Sequence, residues 1–142
     1  MTDTPTPPLT GIDIGVAAQA TRALLDELLV AAETTFPEWV TLRTVALAPA
    51  PPARDALRHD LASALRVDEG EIETTLAGLA RKGLLTGSVE LTADGTARFD
   101  RLQAGVQRIT AELYGEFDPA DLAVAGRVLR QVAERATARL AG

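Results

Sequence analysis

The sequence predicts a mainly α-helical fold, with six helices and one small β-hairpin placed before the last two. Three observations predict it. Apolar residues recur at three- and four-residue steps through most of the 142 residues, the spacing that lines one face of an α-helix. All eight prolines fall outside the interiors of those runs, three before the first and five between runs or at their starts, where a missing N–H does no harm. Residues 84–91 break the helical spacing and read as two short runs around a Gly-containing turn.

Residues 1–11 read as a flexible arm, because the first ten hold three prolines and four threonines. The stretch that follows, to Phe36, is helical. Ala17, Ala20, Leu24, Leu28 and Ala31 share one face, and Leu25, Leu29 and Ala32 widen it, so burial on more than one side is expected. Pro37 opens a second helix carrying Trp39, Leu42, Val45 and Ala46, which Pro49-Ala50-Pro51-Pro52 ends. A third, short helix covers Arg54–Leu65, with Leu57, Leu61 and Leu65 on one face. Asp68 then caps a fourth helix, and Glu71 three residues on completes a capping-box pattern. Its apolar face is Ile72, Leu76 and Leu79, and Lys82-Gly83 is its stop. Leu84-Leu85-Thr86 and Val89-Glu90-Leu91 pair around Gly87-Ser88 as a hairpin.

Thr92 caps a long fifth helix with Phe99, Leu102, Val106, Ile109 and Leu113 in register, and Asp118-Pro119 starts a sixth with Leu122, Ala125, Leu129, Val132 and Ala136. These narrow, heptad-like seams want long helical partners that one small domain cannot supply, so a homodimer is expected. The chain thus reads as a single domain over residues 12–142. A winged helix-turn-helix with a two-stranded wing occupies residues 37–92, and long dimerisation helices flank it at 12–36 and 93–142.

Composition narrows the function. Hydrophobic residues at 46% and charged residues at 24% suit a globular chain with a core. With no Cys there is no disulfide, no Cys-zinc site and no thiol nucleophile, and His59 is the single His. A metal site would need carboxylates alone or a second subunit, so His59 reads as a helix-surface residue and no metal or cofactor is expected. No apolar run is long enough to span a bilayer and the N-terminus lacks the features of a signal peptide, so a cytoplasmic protein without membrane attachment is expected. The net charge of −6 argues against a generic polyanion binder, though not against a local basic patch. No carboxylate pair at a cleft, phosphate loop or nucleophile motif is present, so an enzyme is not expected.

Trp39–Arg43, Leu79–Leu85, Val89–Gly95 and Phe117–Leu122, taken in that order, resemble the MarR (multiple antibiotic resistance regulator) family of winged-helix transcription factors over residues 18–140. Trp39-Val40-Thr41-Leu42-Arg43 resembles the start of the family's second helix. Leu79-Ala80-Arg81-Lys82-Gly83-Leu84-Leu85 resembles the end of its recognition helix running into the first wing strand. Val89-Glu90-Leu91-Thr92-Ala93-Asp94-Gly95 resembles the second wing strand and the LTxxG start of the fifth helix, and Phe117-Asp118-Pro119-Ala120-Asp121-Leu122 the loop before the last helix. The resemblance implies a homodimer with the first, fifth and sixth helices interlocked. It also implies a helix over residues 69–82 in the major groove of double-stranded DNA, a hairpin tip near the minor groove, and a pocket for a small hydrophobic effector.

On that alignment Gly70, Glu71, Glu73, Thr74 and Ala77 face the bases, Gly87 and Ser88 form the wing tip, and Arg54, Arg58 and Arg81 touch phosphates. The family usually has Ser or Thr near Gly70, often Arg near Thr74, and an Arg in the wing. Here Glu69, Glu71 and Glu73 are acidic and the tip Thr86-Gly87-Ser88 is uncharged. Acids in a first helical turn stabilise it by roughly 0.3–1 kcal/mol each, and a Glu can also accept from cytosine; both readings of Glu71 stand. Arg54 and Arg58 are either phosphate contacts or solvated partners of Asp55 and Asp60. Arg81 and Lys82 suit a structural role at a helix C-terminus. Phe36 and Trp39 either line an effector pocket or fill the core, and Tyr114 either donates a hydrogen bond to a ligand or packs. Two functions follow: a dimeric regulator, a repressor tuned by a small-molecule effector, or a MarR-like dimer that no longer reads DNA and acts as a protein-interaction module.

Overall fold

The computed structural model describes residues 5–142. It contains six helices: α1 (Gly11–Ala31), α2 (Phe36–Leu47), α3 (Arg54–Leu65), α4 (Glu69–Arg81), α5 (Ala93–Tyr114) and α6 (Pro119–Ala141). Residues 5–10 carry no regular structure, and residues 1–4 of the expected arm lie outside the described residues. Thr10 and Gly11 already belong to α1. Thr10 caps it, its side chain accepting from the Asp13 N–H while the Asp13 carboxylate accepts from the Thr10 N–H. The helix ends at Ala31 rather than Phe36. Glu33 adopts φ 51°, and Thr35 forms a second capping box with Glu38 that starts α2. An apolar run therefore crosses two helices, because capping chemistry, not hydrophobicity, sets the break. Burial of α1 is one-sided: Leu29 is buried while Ile12, Val16 and Val30 are exposed.

The chain divides into two compact units, the first ending at Val106 and the second running Gln107–Gly142. The first holds two clusters. Leu42 of α2, Leu57 and Leu61 of α3, Ile72, Leu76 and Leu79 of α4, and Leu84, Leu85 and Val89 beyond it form one; Leu42 and Leu79 are fully buried at 0%. Leu29, Trp39, Phe99 and Leu102 form the other.

The turn between α3 and α4 is closed by Arg66 in the left-handed region (φ 56°) and by the Val67 N–H donating to the Ala62 carbonyl at 3.0 Å. Asp68 then caps α4, accepting from the Glu71 N–H at 2.9 Å. Only this half of the anticipated box forms. Glu71 is exposed and makes no return bond to Asp68.

The segment after α4 makes one antiparallel bridge, Leu85 to Leu91, and no regular strand occurs among the described residues. The Thr86 N–H donates to the Glu90 carbonyl at 2.8 Å, closing a loop wider than the expected Gly87-Ser88 pair. Leu84 and Leu85 are both buried, and Val89 turns inward at φ 59° with 1% exposure. Neighbouring residues therefore share one side, which breaks the alternation a ladder needs. Holding a β-branched residue at positive φ costs about 1–2 kcal/mol, offset here by burying the Val89 side chain.

Thr92 joins this segment to α5. Its hydroxyl donates to the Gly83 carbonyl at 2.6 Å and accepts from the Gly95 N–H at 2.9 Å. A methyl group on Gly95 would overlap the Leu84 carbonyl, so this close approach requires glycine.

In the second unit Asp118 caps α6, accepting from the Ala120 N–H at 2.8 Å. No residue of α6 is buried. Its apolar seam is open, with Leu129 and Val132 each 42% exposed.

Candidate nucleic-acid interface

Three faces of α4 have three different tasks. Ile72, Leu76 and Leu79 enter the core. Gly70, Thr74, Ala77 and Arg81 recur at four-, three- and four-residue steps and are all exposed, so they form one solvent-facing stripe. Glu71 is exposed beside it. The Thr74 hydroxyl donates to the Gly70 carbonyl at 3.1 Å, which leaves its oxygen free to accept.

The third face turns to α3. Glu73 Oε2 accepts from Arg54 Nη2 at 2.8 Å, and Glu73 Oε1 accepts from Arg58 Nη1 at 2.8 Å. Arg58 also pairs with Asp55 at 3.0 Å and Glu69 at 3.4 Å, and Arg54 Nη1 donates to the Gly87 carbonyl at 3.4 Å. Hydrogen bonds from Arg54 and Arg58, each a full positive charge, hold the Glu73 carboxyl down at about 2. The Glu73 bond in turn raises Arg58 above its ordinary value. Two guanidiniums thus meet three carboxylates, and the cluster carries a net charge of minus one.

The structure therefore brings Arg54, Arg58, Glu73 and Gly87 into one cluster, and places Gly70, Thr74, Ala77 and Arg81 on a separate stripe. Ser88 is exposed at the turn. Asp55 is a partner of Arg58, as the sequence allows, but the principal partner of both arginines is Glu73. The signal was present in two i,i+4 pairs, Arg54/Arg58 on α3 and Glu69/Glu73 on α4. Only packing of those helices brings the pairs together.

At the end of α4, Lys82 Nζ donates to the Glu33 carbonyl and to Glu38 Oε1, each at 2.8 Å. Burial of Glu38 raises its pKa, but the bonds from Lys82 and Thr35 outweigh this and leave it lowered. The link fixes the end of α4 to the start of α2, a structural task for Lys82. Arg81 is left exposed on the stripe.

Among the pocket candidates, Trp39 is 5% exposed and stacks on Phe99 with ring centroids 5.8 Å apart. Phe36 packs against the same cluster, with the Arg22 guanidinium 3.4 Å over its ring. Both aromatics are in the first unit; Tyr114 is in the second and is 42% exposed. The sequence did not point to an open pocket of about 450 Å³ lined by Lys82, Leu84, Asp94, Ala97, Arg98 and Arg101. Arg98 there donates to the Ala32 carbonyl at 2.7 Å and to Thr34 Oγ1 at 3.0 Å. Among the described residues no group of His, Cys, Asp and Glu is placed to hold a metal ion, and no helix is long and apolar enough to cross a membrane.

No protein-family model and no curated relative matches the chain. Solved structures do. A MarR family protein of Mycobacterium tuberculosis, in complex with DNA, shares 22% identity over 89% of this chain and 98% of its own, with a TM-score of 0.69. The same protein in complex with salicylic acid matches at 22% identity over 89% and 99%, with a TM-score of 0.67. The regulator CouR of Rhodococcus jostii, bound to p-coumaroyl-CoA, matches at 14% identity over 84% and 88%, with a TM-score of 0.70. The TM-scores and the coverage of 84–99% of each chain show the fold, and the fold of this chain is that of the MarR-family transcriptional regulators.

Proposed function

We propose that the chain is a MarR-like transcriptional regulator that binds double-stranded DNA as a homodimer, a repressor released by a small hydrophobic or aromatic effector. The observation that carries this reading is the α4 stripe. Gly70, Thr74, Ala77 and Arg81 stand free on a helix whose other faces are engaged, in the position of a recognition helix. Small side chains let the helix backbone approach base edges, Thr74 supplies an acceptor, and Arg81 is the charge available for a phosphate or a guanine. Gly87 and Ser88, at the tip of the bridge-and-turn segment, serve as a rudimentary two-stranded wing.

The homodimer is supported by unburied apolar residues on both terminal helices, Ile12 and Val16 on α1 and Leu122, Leu129 and Val132 on α6. Exposed apolar residues repeated along one helix, as Leu122, Leu129 and Val132 are on α6, suit an interaction site. In this reading residues 12–36 and 93–142 form the dimer and residues 37–92 form the reading head. Two heads would then sit roughly 34 Å apart on a pseudo-palindromic site. The effector reading draws on the salicylic acid and p-coumaroyl-CoA complexes of similarly folded proteins. Phe36, Trp39 and Tyr114 remain its proposed contacts. The opening beside Arg98 offers an alternative place.

The test is selection of bound sequences from a random duplex pool with purified protein, followed by binding across a salt series. A selected half-site with repeat symmetry and affinity that falls steeply with salt supports the reading. A second reading, a protein-interaction module, is favoured by the exposed acids Glu69 and Glu71 at the start of α4. Absence of binding at low salt, with and without aromatic acids, would select it.

A further inference from the structure

The two arginines of α3 point toward the recognition helix, yet both are already engaged. Arg54 and Arg58 stand one turn apart and occupy both oxygens of Glu73, at 2.8 Å each. The side chains are 38%, 28% and 37% exposed, so solvent reaches the cluster without dissolving it. Helix stability does not account for Glu73. It lies beyond the first turn of α4, where an acid gains from the dipole and the cap. What Glu73 does is hold both arginines of α3.

DNA affinity that ignores sequence comes from exchanging phosphate counterions for Lys and Arg. A guanidinium already donating to a carboxylate must leave it before it can take a phosphate. The acid on α4 therefore sets how much sequence-blind charge the reading head presents. Resting on the DNA-binding reading above, we propose that Glu73 is a specificity-determining residue. By holding Arg54 and Arg58 it suppresses phosphate binding and leaves selection to the stripe of Gly70, Thr74 and Ala77.

The experiment compares the full chain with Glu73→Gln on the selected duplex and on a scrambled duplex of equal length. E73Q removes the only carboxylate on Arg54 and one of three on Arg58, which Asp55 and Glu69 still contact. Release of one arginine steepens the slope of log affinity against log salt by about 0.9 and of both by about 1.8, so the loss between about 50 and about 200 mM salt grows by roughly threefold to tenfold. The scrambled duplex gains more than the selected one, and the ratio between them falls. Adding Arg54→Ala and Arg58→Ala to E73Q returns the slope to that of the parent chain, because the gain runs through the arginines. An unchanged slope in folded E73Q overturns the proposal, and so does a gain that survives loss of both arginines. Should E73Q not fold, Glu73→Asp keeps the charge but shortens its reach. A steeper slope then supports the proposal and an unchanged one overturns it. If neither the parent chain nor the variants bind any duplex at low salt, the DNA-binding reading itself falls, an outcome distinct from a slope that does not move.

Discussion

The helix-turn-helix and the last helix are built from similar residues at similar spacing, yet one is closed and the other open. Leu42 and Leu79 are fully buried among α2, α3 and α4. Leu122, Leu129 and Val132, at steps of seven and three on α6, are each at least 36% exposed. Helical periodicity shows which face is apolar but not whose atoms will cover it. The helix-turn-helix finds its cover within the chain, whereas α6 has an apolar face still to be satisfied.

Cutting equivalent leucines from the two regions should break the comparison most sharply. Leu79→Ala leaves a cavity and should cost about 2–5 kcal/mol in denaturant unfolding at any protein concentration. Leu129→Ala should cost under about 0.5 kcal/mol in dilute protein. In sedimentation at higher concentration it should weaken self-association. Equal, concentration-independent losses at both sites would mean that α6 is covered within one chain.

Gly95→Ala tests whether the helix-turn-helix unit is closed at its edge as well as its centre. The added methyl meets the Leu84 carbonyl, a backbone atom that cannot step aside. Overpacking of this kind should cost about 1–3 kcal/mol, read from the thermal midpoint.

Acid should loosen the helix-turn-helix. Glu73 has a folded pKa near 2, below its unfolded value, so its contribution is complete above about pH 4.3 and is lost as pH falls toward 2. Glu38 is lowered in the same sense. Melting followed from pH 5 to pH 2 should show a decline that is shallower in E73Q and shallower in high salt, since the pair is partly exposed. The smallest effect expected is a gain. Arg66→Gly relieves a left-handed residue at φ 56° and should stabilise the α3–α4 turn by up to about 1 kcal/mol in a thermal melt.

Much of this architecture was readable from local signals. The limits of α3, the Asp68 cap, the stop at Gly83 and the Asp118-Pro119 start each depend on a few adjacent residues. The end of α1 was not readable from hydrophobicity, because the apolar pattern runs on through Ala32 and Phe36 while the Thr35–Glu38 box breaks the helix. The segment around Val89 looked like an alternating strand. Its side chain is drawn into the core by α3 and α4, a demand that no local pattern records. The candidate interface was legible as a set of positions but not as a set of partners. Gly70, Thr74 and Ala77 follow from helical spacing alone. The Glu73 pairings join residues 15 and 19 positions apart, and only the packing of two helices decides them.

Lys82 is the chain's single lysine, and its amine sits between the Glu33 carbonyl and the Glu38 carboxylate. That makes it the single side-chain amine an acylating reagent can report on. Acylation of this side chain requires the amine to leave both oxygens, so the labelling rate, followed by mass spectrometry, measures how often α4 lets go of the start of α2.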